Sequence, residues 1–290
     1  MRKIIVFILF IISTNTVFSQ SLSPERVSRI KSSTVRIIVE GGISIGTGFF
    51  VNDKGLIITC WHVVLPAFQN NKRTYIQFSN NDIVEVGVPN IYNSDTLFGR
   101  VSVGYDFCIL APMQPIITKF SFLKLGNFGT ANEGDEIYTC GYPLGFPQQF
   151  ISKGIISTKY INSNNGVNQF GKFYPLPRTE ALLDITLNKG NSGGAIIKVG
   201  KTVADDEVIG IADFIINPMG NRADSIIKSL SPDKTKGYVE YQTFDSSGII
   251  SRNNPNELAT IFGQVIGNIS IGVSGCVSIA HLNDFLKGKK

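Results

Sequence analysis

The sequence predicts an all-β fold of the barrel or sandwich type. Short runs rich in Val, Ile, Phe and Thr recur along the chain, and Gly, Asn, Asp and Pro separate them. Runs of this length and spacing favour antiparallel strands over an alternation of strands and helices. No internal repeat of about 20–50 residues is visible. The predicted strands are residues 34–40, 43–51, 56–59, 74–78, 83–88, 107–111, 137–140, 151–160, 181–186, 195–199 and 208–214.

The first residues predict export. Arg2 and Lys3 precede an apolar run over residues 4–12, and polar residues that include the small residue Ser19 follow. This order is typical of a secretory signal peptide. A transmembrane anchor is disfavoured because a helix needs about 20 apolar residues to cross a bilayer and this run is shorter. We therefore expect residues 1–19 to be removed and the protein to be periplasmic or extracellular, with no stable membrane anchor.

Helix and turn signals mark further points along the chain. Ser23 as N-cap and Pro24 in the first turn predict a short helix over about residues 24–31. Residues 52–55, Asn-Asp-Lys-Gly, predict a hairpin turn between two strands. Residues 254–257 resemble another helix start, and a short helix is expected near the carboxyl end.

Composition limits the function classes. The formal net charge is +5, and removal of the two basic residues of the signal peptide lowers it. Such a mild excess, without an arginine-rich stripe, does not predict nucleic-acid binding. Between residues 216 and 254 the composition shifts to Ser, Asp, Lys and Asn, which indicates a long surface insertion and not a separate domain.

Four cysteines leave the redox state open. In an exported protein they could form two disulfides in any of the three possible pairings. Cys60, Cys108 and Cys140 lie in apolar, strand-like contexts, where cysteine often serves as a small buried hydrophobe. The sequence has no Cys-x-x-Cys pair, which argues against a structural zinc site. We predict neither a metal nor a cofactor.

The loop Gly190-Asn191-Ser192-Gly193-Gly194 is the strongest chemical signal. Such a run could be an ordinary turn. Glycines beside a nucleophilic serine, however, let the backbone turn sharply, so that two amide groups point to one place beside the hydroxyl. Gly190 and Ser192 are the candidate donors to an oxyanion at that place.

A serine nucleophile needs a base, and the chain has two histidines. His62 lies at the end of an apolar strand and is the candidate base, whereas His281 is expected at an exposed position near the terminal helix. A buried carboxylate must orient the base. Asp106 is favoured because it opens an apolar strand, while Asp82 and Asp95 lie in polar, turn-like surroundings.

Four segments in this order resemble the trypsin-like (chymotrypsin-fold) serine peptidases, most of all the protease domain of the bacterial HtrA/Deg type. They are Gly46-Thr47-Gly48-Phe49-Phe50-Val51, Ile58-Thr59-Cys60-Trp61-His62-Val63-Val64, Tyr105-Asp106-Phe107-Cys108-Ile109-Leu110 and the glycine-rich serine loop. The resemblance covers about residues 24–286, apart from the insertion. It implies two six-stranded antiparallel β-barrels with short helices at both ends, one barrel within residues 20–120 and one within 121–290. The PDZ modules that often follow this protease domain are not expected here.

The resemblance also implies an activity and its residues. We expect a secreted serine endopeptidase that acts on polypeptides, with Ser192 as nucleophile, His62 as general base and Asp106 as orienting carboxylate. Where digestive relatives have an Asp held by a new amino terminus, Asn191 needs no buried counter-charge. We therefore expect no zymogen cleavage. By the same resemblance the S1 pocket is formed by Thr186 at its base and by Asp213, Phe214, Ile215, Gly275 and Val277. An uncharged Thr floor favours small or medium apolar P1 residues.

Two other functions use similar residues. A catalytically silent trypsin-like module would bind proteins without cleaving them, and the intact triad and glycines argue against it. An esterase would carry a Gly-x-Ser-x-Gly elbow and the order Ser, Asp, His, and the sequence has neither.

Overall fold

A computed structural model describes residues 22–42, 45–87, 101–102, 105–163, 178–215, 241–244, 250–253 and 273–286. The signal-peptide prediction for residues 1–19 and the helix start predicted at 254–257 lie outside these residues. Most of the predicted insertion also lies outside them, apart from one short hairpin.

The first barrel closes from six antiparallel strands. Its members are β1 (Thr34–Val39), β2 (Ile45–Phe50), β3 (Ile57–Thr59), β4 (Thr74–Gln77), β5 (Ile83–Gly87) and β7 (Phe107–Pro112), and the two-residue strand β6 (Val101–Ser102) pairs with β7. The order is β3-β2-β1-β4-β5-β7, and pairing of β3 with β7 closes the ring. The β2–β3 turn is the predicted hairpin at residues 52–55, where the Asn52 side chain accepts from the amides of Lys54 and Leu56.

The second barrel has the same design. Strand β8 (Lys124–Leu125) precedes β9 (Glu136–Gly141), β10 (Phe150–Ser163), β11 (Arg178–Asp184), β12 (Ala195–Lys198), β13 (Glu207–Ile215) and β16 (Val273–Ser278). Six of these follow the order β12-β9-β10-β11-β16-β13, the β12–β13 pair closes the ring, and β8 adds to β13 in parallel. Strands β14 (Tyr241–Phe244) and β15 (Ile250–Asn253) form the separate hairpin. The prediction of two six-stranded barrels is confirmed.

Three helices accompany the barrels in the described ranges. Helix α1 (Pro24–Ser32) begins as predicted, since the Ser23 side chain accepts from the Arg26 amide at 3.2 Å. Helix α2 (Trp61–Gln69) was not predicted, and α3 (Ile279–Leu286) is the terminal helix. None of the helices described is long and apolar enough to cross a membrane.

Each barrel is filled by the inward side chains of its strands. Fully buried apolar residues include Phe49, Phe50, Ile57, Ile58, Ile76 and Leu110 in the first barrel, and Ile137, Tyr138, Ile156, Leu183, Ile196 and Ile209 in the second. All four cysteines are buried thiols outside any disulfide, so they pack as small hydrophobic residues in these cores. The core explains why the sequence reads as apolar runs.

Helix α1, at the amino-terminal end of the first barrel, forms an ion pair with the second barrel. The Arg26 guanidinium donates from Nε to Asp206 Oδ2 at 2.7 Å and from a terminal nitrogen to the Gly200 carbonyl at 3.1 Å. The Gly200 amide donates to the other Asp206 oxygen at 2.9 Å. Both charged side chains are buried, with 7% and 5% of their surface exposed. This ion pair holds the β12–β13 turn of the second barrel against the amino-terminal helix.

Candidate active site

His62 and Asp106 are joined by two hydrogen bonds. His62 Nδ1 lies 2.5 Å from Asp106 Oδ2, and the His62 amide donates to Asp106 Oδ1 at 2.9 Å. The Asp106 carbonyl accepts from the Trp61 amide at 3.2 Å. Asp106 has φ 52°, in the left-handed region that Asp tolerates better than most residues. The turn before β7 thus bends so that both the carboxylate and the backbone carbonyl of Asp106 face the start of α2.

The structure corrects the local setting of His62. We expected it at the end of an apolar strand, but β3 ends at Thr59 and His62 is the second residue of α2. The side chain is 46% exposed, whereas that of Asp106 is 15% exposed. The ring is therefore open to solvent on one side and bound to a shielded carboxylate on the other.

His281, the other histidine, takes no part in this arrangement. Its ring stacks on Tyr105, with ring centroids 3.9 Å apart. It is half-buried, so the expectation that it is exposed is wrong.

The serine loop runs between β11 and β12 and depends on two left-handed glycines. Gly190 has φ 99° and Gly193 has φ 86°. A side chain at Gly190 would approach the Tyr142 carbonyl to 2.2 Å, and one at Gly193 would approach the Thr47 carbonyl to 2.3 Å and the Cys60 amide nitrogen to 2.8 Å. Only glycine fits such positions. The loop is thereby packed directly against the segment that leads to His62.

Thr47 of the first barrel fixes the direction of this loop. Its hydroxyl donates to the Gly190 carbonyl at 2.6 Å and accepts from the Tyr142 amide at 3.1 Å. Its own amide donates to the Ser192 carbonyl at 2.9 Å. Thr47 is fully buried. Sequence reasoning quoted this residue but assigned it no role, and its only signal was a hydroxyl between two glycines in an apolar strand.

The two amides expected to bind an oxyanion have no acceptor in the described part of the chain. The Lys189 carbonyl accepts from the Leu144 amide at 2.6 Å. Because a trans peptide holds its C=O and N–H in opposite directions, the Gly190 amide points away from Leu144. Neither the Gly190 amide nor the Ser192 amide donates a hydrogen bond to a described residue, whereas the intervening Asn191 amide donates to Asn188 at 3.0 Å.

The Ser192 hydroxyl is not hydrogen-bonded to His62 among the described residues. Such bonds are often long without substrate and tighten when substrate binds. The structure therefore brings His62 and Asp106 into direct contact and places the serine loop against the same segment.

The residues expected to form the S1 pocket lie at several depths. Thr186 is exposed and lies just beyond the end of β11, and Gly275 and Val277 lie in β16, where Val277 is only 1% exposed. Phe214 and Ile215 pair with Gly275 and Ser274 of β16. Asp213 faces His62, with its Oδ1 4.0 Å from the ring Nδ1. Sequence reasoning did not foresee this second carboxylate, and the pocket itself stays a prediction.

One cluster in the described ranges combines metal-ligating atom types. Atoms of Cys60, His62, Asp106 and Asp213 lie within 4.8 Å of one another. However, His62 Nδ1 and Asp106 Oδ2 are 2.5 Å apart. Two ligands of one tetrahedral zinc ion, each bonded at about 2.0–2.2 Å, lie more than about 3 Å apart. The contact fits a shared proton, and we assign no metal site.

Two of the buried thiols, those of Cys108 and Cys140, are chemically unreactive. Burial raises the pKa of the Cys140 thiol to about 12 and raises that of Cys108 further. Both therefore stay protonated at neutral pH, and neither is a candidate nucleophile.

Comparison with known proteins identifies relatives of this chain. The family model described as "Trypsin-like peptidase domain" matches residues 46–211. A "Probable periplasmic serine endoprotease DegP-like" of Rickettsia conorii is 26% identical over 206 residues, which are 66% of this chain and 34% of the relative. "Serine endoprotease DegS" of Haemophilus influenzae is 24% identical over 246 residues, 78% of this chain and 64% of the relative. The chain thus spans about a third of the first relative and less than two thirds of the second.

A solved structure shares the fold. "HtrA-type protease AlgW with tripeptide" matches 91% of this chain and 62% of its own, with a TM-score of 0.54 and 17% sequence identity. At this identity the match concerns the fold alone, and it agrees with the two closed barrels.

Proposed function

Because the chain belongs to the family of trypsin-like peptidase domains, we propose that it is a serine endopeptidase that cleaves polypeptides through an acyl-enzyme. In this proposal Ser192 is the nucleophile, His62 the general base and Asp106 the orienting carboxylate. The observation that supports it most is the pair of hydrogen bonds between His62 and Asp106, at 2.5 and 2.9 Å, beside a loop in which two amides donate to no described residue.

The proposed reaction has two halves, acylation and then deacylation of Ser192, and each half uses the same groups. Ser192 Oγ attacks the scissile carbonyl carbon while His62 Nε2 takes the hydroxyl proton, and the carbonyl oxygen becomes an oxyanion. His62 then gives the proton to the leaving amine, the C–N bond breaks, and an ester to Ser192 remains. In the second half a water molecule loses a proton to His62 and attacks the ester. Release of the new carboxyl group returns the proton to Ser192.

Asp106 sets the tautomer that this sequence requires. With Nδ1 facing Asp106 Oδ2, the ring carries its proton on Nδ1 and leaves Nε2 free to accept. The hydrogen bond from the His62 amide to the second carboxylate oxygen keeps the Asp from rotating. Its role is therefore orientation and stabilisation of the imidazolium that forms in each half.

The Gly190 and Ser192 amides are proposed as the oxyanion hole. Both are held in place by neighbouring carbonyls that are already bonded, those of Lys189, Gly190 and Ser192. Preorganised donors of this kind are worth about 2.7–4 kcal/mol of transition-state stabilisation each. Donors that are already oriented reduce the reorganisation needed at the moment of reaction.

The substrate and location are proposed from the sequence and the relatives together. One relative is named a periplasmic serine endoprotease, and the shared fold is seen in a protease bound to a tripeptide. With the signal peptide expected at residues 1–19, we propose export and action on polypeptides in the periplasm or outside the cell. Thr186 at the floor of the proposed pocket favours Val, Ala or Leu at P1.

The test is covalent labelling of the mature chain with a fluorophosphonate, followed by peptide mapping. We expect one labelled peptide, carrying the probe on Ser192. Ser192→Ala removes the label, and Ser79→Ala, which changes an exposed serine in the β4–β5 turn, leaves it unchanged. A folded chain without label and without cleavage of casein would instead be the silent binding module.

A further inference from the structure

Asp213 places a second carboxylate beside the ring of His62. Its Oδ1 lies 4.0 Å from His62 Nδ1, the same nitrogen that Asp106 contacts at 2.5 Å. The Asp213 side chain is 9% exposed. We propose that Asp213 is a positioning residue that stabilises the protonated ring of His62 during the reaction. This inference rests on the proposed function.

A bulge in β13 aims Asp213 at the site. The pairing register of β13 with β16 shifts here, because Ala212 pairs with Cys276 and Phe214 pairs with Gly275. Two residues further along β13 therefore correspond to one residue along β16, and Asp213 is the extra residue. Bulges redirect single side chains and are frequent next to active sites.

The backbone just before Asp213 is tied to both halves of the site. The Ala212 carbonyl accepts from the Gly193 amide at 2.8 Å and from the Cys60 thiol at 3.2 Å. The Ala212 amide donates to the Gly194 carbonyl at 2.8 Å. The carboxylate is thus held in register with the serine loop and with the segment leading to His62.

Charge decides what a second carboxylate does there. The titratable groups that face His62 in the described ranges are Asp106, Asp213 and Cys60. Two carboxylates against one imidazole favour the ring with its positive charge, because opposite charges at about 4 Å attract by more than 1 kcal/mol at a partly shielded site. The imidazolium formed when Ser192 loses its proton is therefore stabilised.

An electrostatic role and a purely structural role of Asp213 predict different responses to Asp213→Asn, which keeps the shape of the side chain and removes its charge. We expect the acid-side midpoint of the kcat/KM profile to move down by about one pH unit, with a lower plateau. Asp184→Asn, an exposed aspartate of β11, is the matched control and leaves the midpoint unchanged. A lower plateau with the wild-type midpoint would overturn the inference, since a purely structural role reduces activity without moving the profile.

A second readout does not depend on turnover. The chain has two histidines, so the pH titration of His62 can be followed by nitrogen NMR in Ser192→Ala protein, with His281→Gln identifying the other signal. We expect the His62 transition to move to lower pH by about one unit when Asp213→Asn is added. Coincident transitions would refute the role of Asp213. Failure of the proposed function would appear separately, as a wild-type chain that neither cleaves peptides nor reacts with a fluorophosphonate.

Discussion

Replacing Thr47 by Val tests whether the first barrel sets the direction of the serine loop. The change keeps the volume and removes the hydroxyl that joins the Gly190 carbonyl to the Tyr142 amide. Tyr142 is buried, so its amide loses its partner without gaining water. An unsatisfied buried group costs about 1–3 kcal/mol. The Gly190 carbonyl lies at a half-buried residue, where water can replace part of the lost bond.

We therefore expect Thr47→Val to lower the free energy of unfolding by about 2 kcal/mol, measured by urea denaturation. It should also lower kcat by at least about tenfold with little change in KM, because the Gly190–Asn191 peptide that loses its anchor lies between the two proposed oxyanion donors. Thr47→Ser keeps the hydroxyl and should retain most of the activity.

Thr139→Val is a matched control for that experiment. Thr139 is also fully buried, but its hydroxyl has no hydrogen-bond partner among the described residues. Removing it should be neutral or slightly stabilising. If Thr47→Val is no more harmful than Thr139→Val, or if Thr47→Ser is equally inactive, the hydroxyl bridge does not orient the loop.

Three further outcomes are expected. Ser192→Ala and His62→Ala should each reduce peptide cleavage by roughly 10⁴-fold or more, and the double variant should lose little beyond either one, because the two residues act as a unit; full turnover in Ser192→Ala would end the proposal. Asp206→Asn should cost about 3–5 kcal/mol in urea denaturation because it leaves Arg26 buried and unpaired, and a loss below about 1 kcal/mol would show that water reaches the pair. Residues 20–290 with a short blocked amino-terminal extension should cleave peptides as fast as the same chain without it, since Asn191 offers no full charge to a new amino terminus; activity that appears only after trimming would contradict this.

Local sequence signals predicted the strands and turns well, but one helix escaped them. Residues 61–65 are Trp-His-Val-Val-Leu, a run that is typical of a strand, and Pro66 would ordinarily exclude a helix interior. The structure nevertheless forms α2 there, burying Val63, Val64 and Ala67. Tertiary packing of those side chains outweighs the local preference.

The predicted site residues differ in how much of their setting was visible in the sequence. The contact of His62 with Asp106 follows from residue types and order. The place of Asp213 beside the same ring depends on the register shift of β13 against β16, which involves strands far apart in the chain. The bridge made by Thr47 likewise joins residues separated by 143 positions. Such long-range registers leave no local pattern.

Because the Thr47 hydroxyl bridges the two barrels, the proposed activity depends on how the barrels pack together. The hydroxyl belongs to one barrel and binds the serine loop of the other, so the proposed oxyanion donors take their observed places only when the two barrels pack together. In the proposed enzyme, peptide cleavage therefore requires both barrels to be folded and docked, and a chain with only one folded barrel has no complete site.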